Sequence, residues 1–164
     1  LYAQSINIDE AVTRGVEAAA KFEFTPSLSL GLNYTYTESE QKTGASAGEP
    51  LQNTPKHMIN GNLRWAATDR VSTWLRTEIR SDRYRGLGVA QTELGSYSGY
   101  ALFHLGGSFE VTENFKLSAA VYNLLNTDFV SYLPYQNGNV IEYGAEYSNN
   151  QEPRRLWLSA SVDF

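Results

Sequence analysis

The stretch Leu156-Trp157-Leu158-Ser159-Ala160-Ser161-Val162-Asp163-Phe164 decides the fold. Leu156, Leu158, Ala160, Val162 and Phe164 share one parity; Ser159, Ser161 and Asp163 share the other, with Trp157 as the exception. Alternate residues of a strand face opposite sides. One face is therefore apolar up to a terminal aromatic, and the other is mostly polar. This pattern fits the closing strand of a transmembrane barrel, with lipid on the apolar side and a lumen on the polar side.

Six further segments upstream alternate in the same way. Val12, Val16, Ala18, Ala20, Phe22 and Phe24 oppose Thr13, Glu17, Lys21 and Glu23. Leu28, Leu30, Leu32, Tyr34 and Tyr36 oppose Ser29, Asn33, Thr35 and Thr37. Ile59, Leu63 and Trp65 oppose Asn60, Asn62 and Arg64, and Val71, Leu75 and Ile79 oppose Ser72, Arg76, Glu78, Arg80 and Asp82. Ala101, Phe103, Leu105, Phe109 and Val111 oppose Ser98, His104, Ser108 and Glu110. The sixth carries Leu117, Ala119 and Val121, and Asn123 breaks its apolar face. The helical period of 3.6 is absent from these segments.

The connections are of two kinds and they alternate. Thr25-Pro26-Ser27, Ala67-Thr68-Asp69-Arg70 and Thr112-Glu113-Asn114-Phe115 are short turns. The stretches 38–55, 83–96 and 128–150 are long, polar and rich in Gly, Ser, Asn and Gln. Most loops of compact domains are short, whereas outer-membrane barrels place short turns on one side and long loops on the other. Phe22, Phe24, Trp65 and Phe109 lie beside short turns, and Tyr34, Tyr36 and Tyr97 near long loops, as two interfacial girdles would.

Composition sets the bounds. The chain has 164 residues, a net charge of -5, no Cys and a mean hydropathy of -0.40. Negative charge argues against a nucleic-acid partner, and the missing Cys excludes disulfides and thiolate metal sites. No apolar run is long enough for a spanning helix, which leaves strands as the way to cross a bilayer. No signal peptide is read at Leu1-Tyr2-Ala3, and the chain reads as the C-terminal part of something longer. A seven-stranded open sheet would leave two edges unpaired in lipid, so it must join further strands.

The residues then resemble a family. Ala11-Val12-Thr13-Arg14-Gly15-Val16-Glu17, Leu32-Asn33-Tyr34-Thr35-Tyr36-Thr37, Pro50-Leu51-Gln52-Asn53-Thr54-Pro55-Lys56-His57-Met58, Val121-Tyr122-Asn123-Leu124-Leu125-Asn126-Thr127 and Glu152-Pro153-Arg154-Arg155 carry the likeness. The chain resembles the C-terminal part of a TonB-dependent outer-membrane receptor, nearest to the ferric catecholate siderophore and colicin I receptor type. The resemblance implies an all-β fold, an antiparallel transmembrane β-barrel of about 22 strands with a plug. Residues 1–164 would supply about seven C-terminal strands, and the plug domain is absent from this chain. It also implies a bacterial outer-membrane location and import of a ferric siderophore with TonB-delivered energy. The implied partners are the chelate, the rest of the barrel and plug, TonB through the missing N-terminal part, the lipid bilayer and bacteriocins. Phe164 resembles the signal read by the barrel-assembly machinery.

Ferric catecholates are anionic with flat aromatic faces, which Arg, Tyr and Trp can bind. The long stretches offer Arg83, Tyr84, Arg85, Tyr132, Tyr135, Gln136, Tyr143 and Tyr147 as ligand candidates. Arg64, Arg76, Glu78 and Arg80 are expected to line the lumen wall facing the plug. No catalytic constellation or resident cofactor is expected; iron enters only within the cargo. His57 and His104 stand far apart with no metal-ligand spacing. The alternatives are a soluble all-β ligand-binding module and a structural outer-membrane pore. Within the receptor class, haem, cobalamin or a carbohydrate stand as other cargoes.

Overall fold

The computed structural model describes residues 10–128, 130–147 and 152–163. The strands are β1 (Ala11–Thr25), β2 (Leu28–Gln41), β3 (His57–Ala66), β4 (Val71–Arg80), β5 (Tyr100–Thr112), β6 (Phe115–Tyr122), β7 (Val130–Asn137), β8 (Val140–Tyr147) and β9 (Arg155–Val162). A short helix, α1 (Val89–Leu94), precedes β5. Seven strands form one antiparallel sheet in the order β1-β2-β3-β4-β5-β6-β9, and β7 pairs only with β8.

The seven alternating segments of the sequence are the seven strands of the large sheet. The register aligns their apolar parities. Phe22, Leu30, Leu63, Leu75, Leu105, Val121 and Leu156 are successive cross-strand partners, one row that spans the sheet. One residue further along the strands, Lys21, Gly31, Asn62, Arg76 and His104 make a row on the opposite face. A slip of one residue in any pair would put a charge into the apolar face, so the pattern fixes the register.

This sheet has no core of its own. Among the described apolar residues only Leu102 and Ala120 are buried, while on strands with a neighbour on both sides Leu105 and Leu117 are still 44% and 42% exposed. A soluble sandwich would cover that face with a second sheet. Exposed apolar surface on this scale requires an apolar solvent, and lipid supplies it.

The short turns lie together at one end of the sheet, and the long connections at the other. Two of the long stretches are more ordered than the sequence suggests. The stretch 83–96 contains α1, and 128–150 contains the β7–β8 hairpin. The hairpin closes through Gly138-Asn139, with Gly138 at φ 62. Gly at a positive-φ position of a two-residue turn is the signal for such a hairpin, and the polarity of the stretch masks it.

Candidate functional site

At the long-loop end, two connections are knitted together. Arg83 donates its N–H to the Tyr97 carbonyl at 3.0 Å, and Tyr97 returns the bond at 2.8 Å. The Arg83 side chain is buried; its Nη1 donates to Asn53 Oδ1 at 2.8 Å, and its guanidinium lies 5.3 Å from both the Tyr97 and Tyr100 ring centroids. Arg85 places its guanidinium 3.9 Å from the Tyr97 centroid and donates from Nε to the Gly95 carbonyl at 2.7 Å. Tyr84 accepts the Asn53 N–H on its carbonyl at 2.9 Å. Burial, and then the neighbouring Glu49 carboxylate, push the Tyr84 phenol above its ordinary pKa. Arg83 and Arg85 thus meet around Tyr97 as a cationic aromatic cluster, while Tyr84 and the Arg83 side chain tie this segment to Asn53 in the neighbouring connection.

The hairpin sorts the remaining candidates by face. Tyr132, Gln136 and Tyr143 are exposed and fall on one face by alternation and pairing, because Tyr143 partners Pro134. Tyr135 falls on the other, where its hydroxyl donates to Glu142 Oε2 at 2.6 Å; Asn137 Nδ2 donates to Glu142 Oε1 at 2.9 Å. Tyr147 pairs with Val130 through the backbone, and its side chain lies outside the described residues, as does Phe164.

The Glu142 carboxyl is held below its ordinary pKa by the Tyr135 hydrogen bond first and the Asn137 bond second. A depressed carboxylate stabilises the fold above its unfolded value of about 4.3 and loses that contribution as pH falls through the lower folded value. Tyr135→Phe is therefore expected to raise the Glu142 titration midpoint toward the ordinary value. Carboxyl carbon NMR on glutamate-labelled protein measures it; an unmoved midpoint would show that the cross-strand bond is not made.

Behind the hairpin, Asn123 closes the base of the longest connection. It is 2% exposed, with φ 48. Its Oδ1 accepts the Thr127 N–H at 2.8 Å, and its Nδ2 donates to the carbonyls of Thr127 at 3.1 Å and Glu152 at 3.2 Å. Its own N–H donates to His104 Nδ1 at 3.0 Å. In the sequence Asn123 shows only as a break in an apolar face; it stands just past β6 and ties both ends of the connection together.

The expected wall residues share the polar face. Arg80 donates from Nη2 to Asn60 Oδ1 at 2.8 Å and stands 3.7 Å from Glu78. Glu78 also lies 4.0 Å from His104 Nε2. Arg64 is directly opposite Trp74, and Arg76 lies 5.5 Å from the Trp74 ring centroid. Arg64 and Arg76 line a groove of about 390 Å³ with Ser29, Asn62 and Trp74. Among the described residues no cluster of three or more His, Asp or Glu is placed to hold a metal.

A lipid-facing apolar wall, a polar inner face and ordered loops at one end define a segment of a transmembrane β-barrel. Comparison with known proteins gives the family. The TonB dependent receptor-like β-barrel model matches residues 2–124, and the chain belongs to that family. It is 36% identical over 159 residues to the iron-regulated outer membrane virulence protein of Vibrio cholerae, covering 97% of this chain and 22% of that protein. It is 30% identical over 164 residues to the ferric enterobactin receptor of Pseudomonas aeruginosa, covering 96% of this chain and 22% of that one. The crystal structure of a mutant of the ferric enterobactin receptor PfeA from the same organism superposes with a TM-score of 0.69 at 27% identity, covering 96% of this chain and 23% of that chain. The chain thus spans about a fifth of the length of these relatives. The family is one of outer-membrane transport receptors rather than enzymes, and the segment is part of a larger barrel.

Proposed function

We propose that this chain is the C-terminal wall of an outer-membrane receptor that binds a ferric siderophore of the catecholate type and imports it with TonB-delivered energy. The observation that carries the reading is the Arg83–Tyr97–Arg85 cluster at the loop end, the same end from which the hairpin with its exposed Tyr132 and Tyr143 arises. Ferric catecholates are anionic and present flat rings, and guanidinium with phenol answers both properties. In this reading Arg85, Tyr132, Gln136, Tyr143 and Tyr147 meet the chelate. Arg83 and Tyr84 hold the loops that present them, and Tyr135 braces the hairpin through Glu142. Arg64, Arg76, Glu78 and Arg80 face a plug carried elsewhere in the receptor. Iron is cargo, and the wall needs no cofactor of its own. Loops of this kind would also be the surface that a bacteriocin meets.

The test is uptake by the complete receptor in iron-limited cells that lack other siderophore receptors. Radiolabelled ferric tris-catecholate is expected to enter, and a ferric trihydroxamate is not. Arg85→Gln should weaken catecholate binding about tenfold, from one lost charge-assisted contact. Growth on haem or cobalamin in place of the catecholate would refute the reading.

A further inference from the structure

The polar wall carries a second aromatic patch, which runs from β4 to the end of β6, just below the base of the longest connection. Trp74 on β4 and Tyr122 on β6 are two strands apart, yet their ring centroids stand 6.3 Å apart at 51°. The intervening strand permits this because Gly106 lies directly opposite Trp74. A Cβ at Gly106 would collide with the indole, so only a bare backbone lets the ring lie across β5. Ala120 continues the row of small residues, and Trp157 ends it. The position that broke the polar parity of the last strand therefore shares a row with this patch. Cations frame the rings: Arg76 is 5.5 Å from the Trp74 centroid, and Arg155 is 4.8 Å from that of Tyr122. Arg64 borders the groove of about 390 Å³ on the other side of Trp74. Among the described residues, neither Arg64 nor Arg76 makes an ion pair.

We propose that the groove beside Trp74, with Arg64 and Arg76 along it and Tyr122 and Arg155 behind, is an inner subsite for a flat anionic aromatic group. The inference rests on the catecholate reading above and names where the cargo is held after it leaves the loops. A soft stacking surface with flanking guanidiniums suits a transit position. Stacking and cation attraction at a wet wall each contribute only about 1 kcal/mol, so they hold the ligand loosely enough to release it. A lumen wall that served only to be wet would need neither two indoles on its polar face nor a glycine placed beneath one of them.

The probe is ferric tris-catecholate, used with the complete receptor. Surface binding in the cold, with energy blocked, is measured separately from energised uptake. Gly106→Val displaces the indole without removing it, Trp74→Leu removes it, Arg76→Gln removes one cation, and Trp74→Phe keeps a ring. The first three are expected to bind the probe at the surface as the unaltered receptor does. Their uptake rate should fall about tenfold, from the loss of stacking or cation contact in the lumen. Trp74→Phe should recover most of the rate. Heat-modifiable mobility on gels confirms that each barrel has assembled, and Arg76→Gln, an exposed change, serves should Gly106→Val fail to assemble. Unchanged uptake in Trp74→Leu and Arg76→Gln would overturn the subsite while leaving the catecholate reading standing. Variants that instead admit large hydrophilic antibiotics would show that the patch only seats the plug, which also overturns it. An unaltered receptor that binds no probe would refute the underlying reading itself.

Discussion

Leu75→Arg is expected to remove most of the assembled barrel from the outer membrane. Leu75 sits midway along β4, and β4 has three strands on either side of it in the sheet. Its partners Leu63 and Leu105 belong to the apolar row that crosses all seven strands. An arginine on the lipid face near the bilayer midplane costs about 2–4 kcal/mol, which is about thirty-fold to a thousand-fold in the assembled fraction. Ser159→Lys is the matched control, since Ser159 partners Ser118 on the polar face of the last strand. A new charge there meets water or a polar plug and should stay within about 0.5 kcal/mol. The measurement is the folded, heat-modifiable fraction in outer-membrane preparations. If Leu75→Arg assembled normally while Ser159→Lys did not, the two faces would have been assigned the wrong way round.

The contrast between those two substitutions marks what the linear chain makes legible. A period of two is a local property, so Leu28-Leu30-Leu32 or Leu156-Leu158-Ala160 declare their faces without any knowledge of their neighbours. The strand number in the large sheet, the lipid side and the alternation of short and long connections follow from this. The loop end is less legible, because there the structure depends on pairings between distant segments. Arg83 reads as an exposed cation among polar residues, yet it is buried because Asn53, thirty positions earlier, and Tyr97 close around it. Tyr132 and Tyr135 look equivalent in sequence; only the hairpin register separates one as open and the other as bonded to Glu142. Trp157 reads as a parity error until Trp74, Gly106 and Ala120 are brought into its row. In each case the missing information is a partner, and no local pattern names one.

Asn123→Ala is expected to leave the barrel standing and release the longest outer connection. The side chain satisfies the Thr127 N–H and reaches the carbonyls of Thr127 and Glu152, from both ends of that connection. Alanine would leave those groups buried without partners, at about 1–3 kcal/mol for each one that water cannot reach. The backbone stands at φ 48, which Asn adopts more readily than Ala. Together these make the opened loop base about a hundred times more populated. The β7–β8 hairpin hangs between the two tied ends, so its tyrosine face loses its fixed position. Protease added to intact cells should cut between residues 128 and 150 in Asn123→Ala and spare the unaltered receptor. Ferric tris-catecholate binding should fall with the same variant, while heat-modifiable mobility stays normal. Asn123→Gly separates the two causes: it keeps the backbone conformation at no strain and removes only the side-chain bonds. If the bonds dominate, Asn123→Gly will be cut nearly as fast as Asn123→Ala; if the conformation dominates, it will resist. Full resistance and normal binding in Asn123→Ala would mean that the connection is held by contacts other than this one side chain.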